Sequence, residues 1–390
     1  MNRLLWQLFL ALIVGTLAGC ALTPAPAPGD RAPVAGASAP DELAPLPPPL
    51  QQPKSRWVPV RWAELPGFEA DALHEAWNAW VKGCERPAPA LAALCGDVRR
   101  LSIASAEEQR RWLREHLQPY RVEPAEGGAD GLLTGYYEPV LEASRQPRPG
   151  FQVPLYRPPA NLAQRRPWYT RQEIETLPEA RAALRGREIA WLADPVDALM
   201  LQIQGSGRLR VTEADGSQRL VRLAYAATNE QPYKSVGRWL LDQGALRDAS
   251  WPGIKGWIAQ NPQRLNELLW SNPRMVFFRE EALPDPGIGP RGAQGVPLTP
   301  RRSVAVDPLA VPYGTVMWID TTEPLSSQPL RRAVVAQDTG SAITGAVRID
   351  YFWGWDADAE PQAGRMRQPL RAWALWPRGE AGPRDAVAGD

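Results

Sequence analysis

Val334-Val335-Ala336-Gln337-Asp338-Thr339-Gly340-Ser341-Ala342-Ile343, followed by Arg348-Ile349-Asp350-Tyr351-Phe352-Trp353-Gly354, sets two aspartates on apolar, strand-like runs. An aspartate among valines, isoleucines and aromatics is costly to bury unless a hydrogen-bond partner or a chemical task keeps it there. The pair is therefore a candidate acid/base site. Outward from this stretch, the chain from residue 132 onward is mainly short apolar runs broken by Gly and Pro. Examples are Asp197-Ala198-Leu199-Met200-Leu201-Gln202-Ile203-Gln204 and Ser303-Val304-Ala305-Val306, both read as strands. Many short strands with turn signals favour barrels or sandwiches over a helix-covered parallel sheet. Helical periods predict helices over 68–82, over 106–117 with Ser105 as N-cap and Glu108 in the capping box, over 234–243 and over 261–270.

Three strings carry candidate ligand contacts. Gly131-Leu132-Leu133-Thr134-Gly135-Tyr136-Tyr137-Glu138-Pro139 joins hydroxyls to aromatic rings on a strand that Gly135 interrupts. A glycine there admits a ligand or another backbone, while the alternative is plain packing of Tyr rings on a sheet. Gln202 and Gln204, read as strand residues, point to one face and Leu201 and Ile203 to the other. Amides beside Gly205-Ser206-Gly207 suit a neutral, hydroxyl-rich ligand, and the alternative is an ordinary solvated face. That Gly-x-Gly core lacks the lysine and spacing of a phosphate loop and reads as a tight strand turn. Tyr233 lies in a polar-aromatic string before a helical period. Among 17 tryptophans, most of them core, Trp353 and Trp355 stand nearest Asp350 and are candidates for a ligand wall.

The first residues predict export. Arg3, an apolar run over 4–17 and Leu17-Ala18-Gly19-Cys20 read as a lipoprotein signal peptide over 1–20, with Cys20 acylated. Ala21, in place of an aspartate, resembles lipoproteins sent to the outer membrane. Residues 21–55 are Pro-rich and read as a disordered tether, and residues 378–390 as a loose tail. In an oxidising compartment Cys84 and Cys95 read as a disulfide, with two buried free thiols as the alternative. Three Cys and two His leave too few ligands for a thiolate or imidazole metal cluster, and weaken any His-dependent nucleophile scheme. No cofactor or metal is expected. A net charge of +1 does not call for nucleic acid.

Asp338-Thr339-Gly340-Ser341 also matches the aspartic-protease signature. Such a protease needs two of these loops sharing one proton, and this chain has one, with Gln337 at a position that is usually apolar. Only a homodimer would rescue that reading.

Taken together, these motifs resemble the membrane-bound lytic murein transglycosylase A family. The resemblance is carried by Thr134-Gly135-Tyr136-Tyr137-Glu138-Pro139, Pro154-Leu155-Tyr156, Gln202-Ile203-Gln204-Gly205-Ser206-Gly207, Tyr233-Lys234-Ser235-Val236-Gly237, Asn272-Pro273-Arg274-Met275-Val276-Phe277-Phe278, the segment 296–315, and a closing part with three aspartates, Asp307, Asp338 and Asp350. It implies a mainly β fold with a few helices. A catalytic double-psi β-barrel over 56–138 and 283–377 would carry an inserted substrate-binding β-barrel over 139–282. The glycan would lie between the two, touched by Thr134, Tyr136, Tyr137, Gln202, Gln204, Gly205, Ser206, Tyr233 and Trp353.

The resemblance also implies cleavage of peptidoglycan between N-acetylmuramic acid and N-acetylglucosamine without water, the sugar's 6-hydroxyl closing a 1,6-anhydro ring. Asp350 would act as acid and then base, Asp338 would support it, and Asp307 would be structural. Expected partners are peptidoglycan strands, the inner leaflet of the outer membrane through Cys20, and cell-wall synthesis or division complexes. The competing functions are a non-catalytic, expansin-like wall binder and a lysozyme-like hydrolase. For Asp350 to donate a proton its pKa must lie well above ~3.9. Arg348 shares its face in an extended strand, so the expectation is that Arg348 turns toward ligand or Asp338 instead.

Overall fold

The computed structural model describes residues 45–382, so the signal peptide, Cys20 and most of the tether lie outside the described residues. Its strands are β1 (Leu50–Gln51), β2 (Arg56–Pro59), β3 (Leu117–Glu123), β4 (Gly131–Tyr136), β5 (Val140–Ser144), β6 (Val153–Tyr156), β7 (Glu188–Leu192), β8 (Gly207–Thr212), β9 (Gln218–Thr228), β10 (Val276–Ala282), β11 (Ser303–Ala305), β12 (Val316–Thr322), β13 (Pro329–Asp338), β14 (Arg348–Phe352) and β15 (Arg367–Pro377).

One sheet runs β1-β2-β3-β15-β12-β13-β11-β14-β4, and β4 pairs back onto β15. The six strands β15, β12, β13, β11, β14 and β4 thus form a closed barrel with no free edge among them. Its directions are mixed: β11 runs parallel to β13 and β14 parallel to β4, while the other barrel pairs are antiparallel. Val304, Met317, Ile319, Val334, Ala336, Ile349 and Tyr351 fill the interior. The second sheet runs β10-β9-β8-β5-β7-β6 and curls until β6 and β10 touch without a ladder between them. Its core of Leu155, Ile189, Leu209, Val221 and Phe278 is separate from the first. All of its strands fall between β4 and β11, so the first barrel is assembled from sequence on both sides of the second sheet.

The helices Leu73–Gly83 and Ala106–His116 lie on the outside of the first barrel, where Trp77, Trp80 and Trp112 pack edge to face and meet Trp318 and Trp373. Ser105 accepts from Glu108 N and Glu108 reaches back to Ser105 N, completing the expected capping box. Cys84 and Cys95 are disulfide-bonded. Two expectations at the chain ends change. Leu50 and Gln51, read as tether, pair with Trp57 and Arg56. Arg378, read as tail, donates its backbone N–H to His116 O at 2.9 Å.

The largest correction concerns residues 197–204, which form part of the helix Pro195–Gln204 instead of a strand. Asp194 caps it by accepting from Val196 N at 2.8 Å, Pro195 opens the first turn, and Gly205 ends it in the left-handed region at φ 81°. The helix touches three cores: Met200 enters the first barrel, Leu201 the second sheet, and Leu199 a helical cluster with Leu240, Ile254 and Leu268. Helices Trp251–Gln260, Arg171–Thr176 and Pro178–Leu184 also go beyond the expected set.

Candidate active site

Strand pairing brings the two aspartates together. Ala305 of β11 pairs with Asp338 on one side and with Asp350 on the other, so the carboxylates sit on the two strands that flank β11. On the far side of Asp350, β4 runs parallel to β14 and sets Thr134 opposite Asp350 and Tyr136 opposite Phe352. Gly135 stands between those two hydroxyl residues because a Cβ there would meet Trp353 Nε1 at 2.7 Å and the Ala363 Cα at 2.9 Å. The close approach it permits is that of a ring and a backbone, not of a ligand.

The two carboxylates are held differently. Tyr136 donates its hydroxyl to Asp338 Oδ2 at 2.8 Å, and the Ala293 amide donates to Asp338 Oδ1 at 2.9 Å. Asp350 accepts on Oδ1 alone, from the Thr134 hydroxyl at 2.5 Å. Among the described residues Oδ2 of Asp350 has no hydrogen-bond partner, so one oxygen is left for another group. Burial pushes Asp350 up to about 6, against the opposing pull of the Thr134 hydroxyl and the Arg348 charge. Burial also raises Asp338, while its backbone and Tyr136 donors oppose the rise. Tyr136 is pushed well above the usual tyrosine range by burial and then by the Asp338 charge, and so stays a proton donor.

Arg348 does not form the feared pair. Its Nη1 donates to Ile349 O at 2.8 Å, and no ion pair to Asp350 within 4.0 Å exists among the described residues. Nor does it turn to Asp338, one of the two directions the sequence reading expects.

A cleft of about 780 Å³ opens beside this pair, with Tyr136 and Asp338 on the barrel wall and Gln202, Gln204, Gly205, Ser206 and Tyr233 on the wall of the second lobe. Burial raises the pKa of Tyr233, and the Asp350 charge adds to the rise. The amides are not a free row on a strand. Gln202 Oε1 accepts from buried Arg171 at 2.6 Å and Gln204 Oε1 accepts from Tyr137 N at 3.0 Å. Each amide therefore offers its NH₂ donors, while its acceptor oxygen is already engaged.

Two expected wall residues are core. Tyr137 is buried with its hydroxyl on Met200 Sδ, because it follows Tyr136 and turns away from the cleft. Trp353 is buried edge-on against Tyr351 at 5.1 Å, on the opposite side of the strand from Asp350. Trp355 lies under the Arg208 guanidinium at 3.8 Å. Asp307 is engaged apart from the other two carboxylates: it accepts from Lys54 Nζ at 2.9 Å, Gly345 N at 2.9 Å and Leu309 N at 3.1 Å. Glu138 is fully buried between Arg208 and Arg222 at 2.7 and 2.6 Å. No local pattern marks Ala293 or Arg171, which act through a backbone amide and across a long sequence gap.

A closed barrel with Asp338 on the wall of a cleft and Asp350 across one strand from it, with a second strand-built lobe opposite, is the architecture of a groove-binding acid/base enzyme. Residues 132–279 match the family model described as the MltA specific insert domain, and residues 302–376 match the 3D domain. Membrane-bound lytic murein transglycosylase A of Escherichia coli strain K12 is 32% identical over 268 residues, spanning 66% of this chain and 69% of that protein. Among solved structures, the lytic transglycosylase LtgG of Burkholderia pseudomallei is 43% identical at a TM-score of 0.59, covering 86% of this chain and 99% of that one. E. coli MltA with bound chitohexaose is 26% identical at a TM-score of 0.64, covering 79% and 90%. The chain belongs to the membrane-bound lytic murein transglycosylase A family.

Proposed function

We propose that the cleft holds a peptidoglycan strand and that Asp350 cuts its β-1,4 bond between N-acetylmuramic acid and N-acetylglucosamine without water. The observation that carries this reading is the contrast between the carboxylates. Burial raises both, but both oxygens of Asp338 are engaged, while Asp350, pushed up to about 6, keeps one oxygen without a partner among the described residues. An ordinary glycosidase needs one carboxyl to protonate the leaving oxygen and another to attack or to activate water. Here a single carboxyl serves twice. Neutral Asp350 protonates the glycosidic oxygen, and the resulting carboxylate takes the proton of the sugar's own 6-hydroxyl as it closes the anhydro ring. Because the nucleophile belongs to the substrate, the protein's part is to hold it in place and keep water out.

Asp338 supports this step by fixing Tyr136 beside the reacting bond. Residues 139–282 act as the substrate-binding insert, meeting the sugars through Gln202, Gln204, Ser206 and Tyr233. The relatives' membrane-bound character, together with Leu17-Ala18-Gly19-Cys20, supports attachment through a lipid on Cys20, facing the periplasm from the outer membrane. Among the described residues no helix is long and apolar enough to cross a membrane.

Purified sacculi test the reaction. Mass spectrometry is expected to find released disaccharides one water lighter than hydrolysis gives, and products of full hydrolytic mass would replace this reading with a lysozyme-like one. No release at all would favour a wall-binding role.

The pH dependence follows from the acid. Asp350 must be protonated in the free enzyme, so kcat/KM falls as pH rises through about 6. The Thr134 hydroxyl favours the charged carboxylate, so Thr134→Val lifts the pKa further and moves the fall upward by about one pH unit. A pH profile of kcat/KM checks this, and a downward or absent shift would exclude Asp350 as the titrating acid.

A further inference from the structure

The cleft carries more positive charge than a neutral glycan calls for. Arg86, Arg274, Arg279 and Arg291 line it, against one lining carboxylate, Asp338. Of these cations, Arg279 is neutralised by Glu281 at 2.8 Å. The other three have no acidic partner within 4.0 Å among the described residues. Arg274 spends only Nε, on Gln231 O at 2.8 Å.

Arg86 and Arg291 converge on one residue. Arg291 Nη1 donates to Gly295 O at 2.9 Å, and a Cβ added at Gly295 would lie 2.8 Å from Arg86 Nη1. Gly295 has φ +83°, a left-handed conformation that side chains rarely adopt, and the Arg86 side chain lies directly over it. The place is fixed relative to the site. Ala293 N binds Asp338, Gln294 N binds Gln337 O at 3.0 Å, and the Gln294 side chain holds Arg86 O at 3.0 Å. Two exposed guanidinium groups brought to one glycine repel each other, and among the described residues most of their donors lack partners. A bound carboxylate would relieve both conditions, and guanidinium matches it geometrically.

We propose that Arg86 and Arg291, with Arg274 across the cleft, form a carboxylate-binding site that reads negative charge carried by the glycan strand beside the scissile bond. This inference rests on the peptidoglycan reading for its ligand. Two sources share the chemistry: carboxylates of the peptide stems, and the lactyl carboxylate that is freed when a stem is removed. The site makes the enzyme discriminate wall glycan by its acidic substituents, a property that contacts to neutral sugars alone cannot supply.

The test compares three probes in the full chain: stem-bearing glycan from sacculi, glycan stripped of stems with free lactyl carboxylates, and the stripped glycan with those carboxylates converted to methylamides. KM is measured for each at low and at high salt. The unmodified enzyme is expected to prefer at least one charged probe over the neutral one, and the doubly substituted Arg86→Gln/Arg291→Gln enzyme to lose that preference by roughly tenfold in KM ratio, with kcat little changed. Arg86→Lys/Arg291→Lys should restore only part of it, keeping the charge without the guanidinium fork, and high salt should erase it in the unmodified enzyme.

Which charged probe responds identifies stem or lactyl carboxylate as the source. The proposal is overturned if the unmodified enzyme shows no preference for either charged probe, or if the Gln pair leaves the preference intact. Direct binding of the same probes in the Asp350→Asn background decides the matter even where no anhydro product forms, so failure of the reaction and failure of this site remain distinct.

Discussion

Asp350→Asn is expected to lower release of anhydro-sugar by about 10³- to 10⁴-fold, because no second carboxyl is free to carry the proton. Asparagine keeps the shape and can still accept from Thr134, so sugar binding should survive where turnover does not. The same substitution should stabilise the fold. A carboxyl whose folded pKa is raised contributes stability that is fully present below the unfolded value near 3.8, and that is lost as pH rises through about 6. At pH 8 the native protein carries that penalty and the variant does not, a difference of at most about 3 kcal/mol. Thermal unfolding should therefore show the variant ahead at pH 8 and level near pH 3. Release within tenfold of the unmodified enzyme would remove Asp350 from the mechanism, and a stability gain independent of pH would remove desolvation as the source of its raised pKa.

Glu138→Ala is expected to destabilise the protein by about 3–5 kcal/mol, the largest stability effect foreseen for a single residue here. Glu138 is fully buried, and it accepts from Arg208 Nε at 2.7 Å and Arg222 Nε at 2.6 Å. Those guanidinium groups also hold Pro286 O and Ile288 O, on the segment that returns from the second sheet to the first barrel. Glu138 N binds Gly354 O at 2.8 Å and Arg208 N binds Pro139 O at 2.7 Å, so the cluster ties the outgoing crossing, the returning one and the strand end after Asp350. Losing the carboxylate leaves two buried cations uncompensated. Denaturant midpoints measure the effect. Replacing all three residues by apolar ones, Glu138→Leu with Arg208→Met and Arg222→Met, should recover most of the loss. If it does not, unpaired charge is not the cause.

What could be read in the sequence followed local rules. Asp338 and Asp350 stood out because carboxylates in β-type apolar runs are rare, and Ser105 with Glu108 marked a helix start by capping chemistry. The helix Pro195–Gln204 was misread because Leu201-Gln202-Ile203-Gln204 alternates as a strand does. The deciding signals lay at its ends, in Asp194-Pro195 and Gly205. Closeness to Asp350 in sequence suggests Trp353 as a wall residue, but it is core. Strand alternation already put the two on opposite faces, as it did Tyr136 and Tyr137. The remainder was not legible, since Glu138 meets its arginines 70 and 84 positions away and Ala293 acts through its backbone.

The closing ladder between β4 and β15 pairs Thr134 with Arg367 and Gly131 with Leu370, across the whole second sheet in sequence, so the second sheet is complete before the first can be. A ribosome delivers the inserted lobe's hydrogen bonds long before it delivers the last strand. Until that strand arrives, β4 and β12 each present a bare row of amides and carbonyls that could recruit a neighbouring chain. Such an order of completion leaves the half that carries both aspartates open until its last strand has been made.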